Sequence, residues 1–88
     1  MITDKKLRSE IREHYPRMTG QPAYRAEVLA DLNGVHESTV YRIMLSEDLL
    51  DERDRNDITC RLKRFERRMA MAEALARLTA ERAQLARA

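Results

Sequence analysis

The sequence predicts an all-α protein: a three-helix unit over residues 1–50, a charged connection over 51–56 and one long helix over 57–88. Three observations predict it. The 88 residues include only two glycines and two prolines, against abundant Ala, Leu, Arg and Glu, the usage of long solvated helices. Apolar residues recur at three- and four-residue spacings, in segments separated by Pro16, by residues 17–22 and by Gly34,. No alternating β-type segment follows the third helix, which leaves no hairpin to add.

Thr3 or Asp4 can cap a first helix, with Ile2, Leu7, Ile11 and Tyr15 along one face,. Pro16 ends it, because the residue before a proline avoids helical geometry. Lys5, Lys6, Arg8 and Arg12 make its other sides basic, as a solvated face or as phosphate contacts,. Pro22 fits the first turn of a second helix that carries Tyr24, Val28, Leu29 and Leu32 toward the core,. Ala30 is small enough for a third helix to cross closely, and Gly34 can end the second in a left-handed residue at no steric cost. The third helix then begins near Glu37, turns Val40 and Ile43 inward, and runs to Leu45 or Ser46. Leu49 and Leu50 dock on this unit.

The long helix is expected to start at Asn56 or Asp57, with Asp54, Asn56 and Asp57 as capping and first-turn residues,. Some 30 residues at 1.5 Å each give about 45 Å, longer than a three-helix unit is wide. Ile58, Leu62, Phe65 and Met69 form one stripe, continued by Ala72, Ala76 and Ala83. Met71, Leu75, Leu78 and Leu85 form a second face, roughly a third of a turn away. Two faces imply two roles: the first half packs on the three-helix unit and the second on a partner helix, most simply that of another subunit. Cys60 is expected to pack near the start of this helix as a small hydrophobe.

The turn at Gly34 carries a family resemblance. Ala30, Gly34, Val35, Thr39, Val40 and Arg42 match the pattern of lac-repressor-type and resolvase-type helix-turn-helix domains, over roughly residues 24–45. Asn33 and His36 depart from it, standing where such motifs put a small apolar residue and a capping serine. The resemblance implies a second helix presented to a DNA major groove. It places Glu37, Ser38 and Arg42 at base edges, with His36, Thr39 and Tyr41 beside them. Arg42 suits the O6 and N7 of a guanine, whereas Glu37 can only accept, as from a cytosine amino group. Lys5, Lys6, Arg25, Arg61, Arg64 and Arg68 are the candidate phosphate contacts.

Composition sets limits. The net charge is +2 from 17 basic and 15 acidic residues, unevenly spread: residues 1–23 carry +2, residues 24–50 carry −3 and residues 51–88 carry +3. A negative recognition segment opposes DNA binding, since phosphate neutralisation supplies most non-specific affinity. His14, His36 and Cys60 share no metal-ligand spacing, and no nucleophile–base pair or phosphate loop occurs, so neither an enzyme nor a cofactor is implied. There is no apolar run for a membrane span and no apolar core of a secretory signal at residues 1–5. A lone cysteine forbids an intrachain disulfide and suits a reducing cytoplasm. The expected function is therefore a small dimeric DNA-binding regulator of phage or bacterial type. The alternatives are a helix-turn-helix scaffold serving as a protein-binding adaptor or inhibitor, or a small-terminase-like packaging or transposase accessory subunit.

Overall fold

The structure, a computed structural model, describes residues 2–87. Four α-helices follow one another, the last the longest: α1 (Asp4–His14), α2 (Pro22–Asn33), α3 (Glu37–Ser46) and α4 (Glu52–Arg87), with a 3-10 turn at Tyr15–Arg17 after α1. None of them is long and apolar enough to cross a membrane.

Each boundary has a local cause. The Thr3 hydroxyl caps α1, accepting from the Lys6 N–H at 3.3 Å,. α1 gives way to a 3-10 turn that contains Pro16, but Tyr15 before the proline keeps helical geometry (φ −54°, ψ −48°), against the expectation for that position. Pro22 occupies the first turn of α2, where its missing N–H costs nothing,. Gly34 (φ 64°) closes α2 in a Schellman motif: the Val35 N–H bonds to the Ala30 carbonyl at 3.1 Å and the Gly34 N–H to that of Asp31 at 3.4 Å,. α3 ends in the same motif around Asp48 (φ 55°), with Leu49 N–H to Met44 O at 3.2 Å and Asp48 N–H to Leu45 O at 3.3 Å. Aspartate is one of the few non-glycine residues enriched in that conformation.

The core lies where α1, α2 and α3 meet the start of α4. Leu7, Ile11 and Tyr15 come from α1, Ala26, Leu29 and Ala30 from α2, and Val40, Tyr41, Ile43 and Met44 from α3; Leu50 and Ile58 complete it. The two alanines let α3 cross α2 closely, as expected of Ala30. Leu62 and Phe65 are half-buried, while every described residue from 66 onward is exposed. A 36-residue helix is about 54 Å long, which accounts for the 59 Å long axis of the molecule. The distal half of α4 therefore projects beyond the core.

Several expectations give way. Tyr24 (59% exposed) and Leu32 (77%) point outward. The buried face of α2 is Pro22, Ala26, Leu29 and Ala30, and Tyr24, Val28 and Leu32, four residues apart, line another flank. α4 begins at Glu52 rather than residue 57, because Asp51 already caps it, accepting from the Asp54 N–H at 2.8 Å. The 51–56 connection is thus helical after its first residue, and the cap is Asp51 instead of Asp54, Asn56 or Asp57. Cys60 is exposed, since its turn of α4 buries only Ile58. Ala88, the last residue of the expected long helix, lies outside the described residues.

Candidate nucleic-acid interface

The N-terminal end of α3 is built around His36. Its Nδ1 accepts the Ser38 N–H at 3.1 Å and lies 3.0 Å from the Ser38 Oγ, so the histidine does the capping that serine does in the similar motifs. With Nδ1 accepting, the neutral ring carries its hydrogen on Nε2. The ring also stacks on Phe65 of α4, centroids 4.5 Å apart at 26°. One side chain thus ends the turn, starts α3 and fastens it to α4. Ser38 is buried beneath this cap, 3% exposed.

Between α3 and α4 runs a groove of about 210 Å³, lined by His36, Glu37, Ser38, Tyr41, Arg61, Arg64, Phe65 and Arg68. Tyr41 is buried, and its hydroxyl donates to the Glu37 carboxylate at 3.3 Å. Burial, and then the Glu37 charge, raise the Tyr41 phenol above the ordinary tyrosine range. Arg61 donates to Asp57 at 3.0 Å, one turn back along α4. The groove therefore carries three arginines against one carboxylate.

The outward stripe of α3 consists of Thr39, Arg42 and Ser46. The Arg42 guanidinium lies 3.6 Å from the Glu66 carboxylate of α4, both side chains half exposed. On the opposite side, Arg8 of α1 donates to the Ser46 hydroxyl at 2.6 Å. The stripe thus meets Arg8 of α1 and Glu66 of α4, while Arg61, Arg64 and Arg68 line the neighbouring groove. Two acidic residues of the segment 24–50 are paired with arginines from outside it. Glu47 sits 3.5 Å from both Arg8 and Arg12, and Asp48 pairs with Arg55. Glu27 and Asp31 lie on α2.

The predicted site residues divide accordingly. His36, Glu37, Ser38 and Tyr41 come together with Arg61, Arg64 and Arg68 around one groove, but Ser38 and Tyr41 are buried and offer no free base-reading surface. Thr39 and Arg42 remain on the outer stripe. Arg25 is engaged within the fold: it donates to the Gly20 carbonyl at 2.8 Å and to that of Tyr15 at 3.5 Å, over the Tyr15 ring. Lys5 is exposed, and Lys6 opens onto a hollow shared with Glu10 and Glu13 that no α3 residue lines. Met71, Leu75, Leu78 and Leu85 lie on the projecting arm, far along α4 from the groove. Phe65 and Glu66 are site neighbours missed in the sequence, whereas Arg8 was among the α1 cations weighed as phosphate contacts. The apolar stripe of α4 signalled Phe65 as inward-facing, but nothing local named His36 as its partner.

Neither a protein-family model, nor a curated protein, nor a solved structure matches the chain.

Proposed function

We propose that the chain is a duplex-DNA-binding protein of helix-turn-helix type, acting as a small regulator, with α3 as the helix laid against the major groove. The observation that supports this most is the row of Arg61, Arg64 and Arg68 along the groove beside the start of α3, with Arg42 half exposed on the outer stripe and Arg8 at Ser46. An exposed arginine on α3 with further arginines on the neighbouring helices suits a groove edged by phosphate backbones. Arg42 is the base-reading side chain, bidentate to guanine once it leaves Glu66. Arg61, Arg64 and Arg68 hold phosphates along one backbone. The net −3 of residues 24–50 does not oppose this, since Glu47 and Asp48 are already paired with arginines from α1 and α4.

Selection from a genomic duplex library at two salt concentrations tests the reading. A recurring motif is expected, and Arg42→Ala should relax it by about 1–3 kcal/mol at the contacted base pair. No retention of any duplex at low salt excludes it. Particle stoichiometry then separates tasks within the reading: a dimer fits regulation, a ring fits packaging of the small-terminase kind.

A second reading is an adaptor or inhibitor that binds protein. Tyr24, Val28 and Leu32 favour it, as an apolar stripe on α2 that leaves two large side chains mostly exposed. Stoichiometric capture of one protein, unaffected by nuclease and by Arg42→Ala, would select it.

A further inference from the structure

We infer that residues 71–85 of α4 pair with the same segment of a second copy, parallel and in register. The inference extends the regulator reading by naming its partner, yet it stands on features of the arm alone. Met71, Leu75, Leu78 and Leu85 are each between 54% and 76% exposed, and among the described residues no other helix covers them. Together with Arg82 they are spaced four, three, four and three residues apart. That is a heptad seam, with Leu75 and Arg82 at a and Met71, Leu78 and Leu85 at d. The flanking e and g positions hold Ala72, Ala74, Thr79, Glu81 and Ala86, small enough, Glu81 apart, for two helices to approach closely.

Polarity follows from which layers meet. In a parallel, in-register pair, Met71, Leu75, Leu78 and Leu85 each face their own counterpart, giving four apolar layers. An antiparallel pair centred between Leu75 and Leu78 makes apolar layers only from those two leucines. It sets Arg82 against the partner's Met71 and Arg68 against the partner's Leu85. The charges agree with the parallel form. Glu81, at g, directly precedes Arg82, at a, so the parallel form brings each Arg82 to the partner's Glu81 and spans the arginine layer twice. A single polar a-layer fixes register at some cost in stability, and a one-heptad slip would place Arg82 on the partner's Leu75.

Sedimentation of the full chain without DNA tests the association. The wild type is expected to show a monomer–dimer equilibrium. Leu75→Glu should weaken it by about 100-fold or more, with helicity of the core unchanged by circular dichroism. Glu81→Arg should weaken it by about tenfold, and Glu81→Arg with Arg82→Glu should restore it. Polarity is read by Leu85→Cys in a Cys60→Ser background. Parallel pairing brings the two thiols together, so mild oxidation should give a covalent dimer. The antiparallel pair holds them about 25 Å away, opposite Arg68. A monomer at all concentrations, a higher oligomer, no cross-link through Leu85→Cys, or no rescue by the charge swap would overturn the inference. DNA binding by a chain that stays monomeric would remove this pairing and leave the regulator reading intact.

Discussion

The two halves of α4 share one unbroken backbone and no internal glycine or proline, yet they live by different physics. The proximal half is held by tertiary contacts: Ile58 is fully buried, and Leu62 and Phe65 pack against the core and His36. The distal half has three leucines to the proximal half's one and buries none of them. Most helical stability in proteins comes from packing an amphipathic face rather than from propensity. Within this chain the distal half therefore rests on propensity and local pairs alone. One helix anchors α3 at one end and offers a surface at the other, and the changeover falls at Glu66, the residue that pairs with Arg42.

The strongest way to break this contrast is Ile58→Ala against Leu78→Ala. The first should cost about 2–5 kcal/mol of unfolding free energy, as expected for a fully buried isoleucine. The second, in dilute protein, should stay within about 0.5 kcal/mol. Urea titration of both variants at low concentration measures the difference, and equal losses would erase the contrast.

Next in size is Gly34→Ala. Nothing lies within 4 Å of the added Cβ, so its cost is the left-handed backbone alone, about 1–2 kcal/mol. His36→Ala should cost about 1 kcal/mol for the cap, with a further loss as Phe65 loses its stacked ring. His36→Asn should recover the cap and not the stack, so thermal unfolding of the two variants separates these contributions.

A smaller effect appears at alkaline pH. Burial raises Tyr15, and burial with Glu37 raises Tyr41, above the ordinary value of 10.0. The unfolded chain then loses these protons first, so their stabilising contribution is complete below about pH 10 and falls away as pH rises through the folded-state values. Urea unfolding at about pH 8 and about pH 11 should show the loss, and Tyr41→Phe should flatten it. Smallest of all is the stability effect of Arg42→Ala, under about 1 kcal/mol for an ion pair this exposed. That near-silence sharpens the contrast, because the same substitution is expected to alter DNA discrimination.

Much of the architecture was legible before any coordinates. Thr3, Pro16, Pro22 and Gly34 act through their own backbones, so their positions announce helix ends wherever the chain goes next. The stripe from Ile58 to Phe65 likewise announced a packed face. Other features depend on partners distant in sequence. Tyr24 and Leu32 suit a core, but α3 crosses at Ala26 and Ala30 and leaves them outside. Asp48 in a left-handed turn carries no glycine-like signal. In the candidate interface, Arg42 followed from the motif, whereas its tether to Glu66 and the His36–Phe65 stack join residues more than 20 positions apart. Ser38 matched a base-reading position by alignment alone, and the packing of α4 over the start of α3 explains its burial.

The most direct test of the account is the salt dependence of duplex binding by the wild type and by the triple variant Arg61→Ala, Arg64→Ala, Arg68→Ala. If these arginines hold phosphates beside α3, the slope of log K against log salt should become shallower by about three in the variant. An unchanged slope, or a wild type that binds no duplex at low salt, would contradict it.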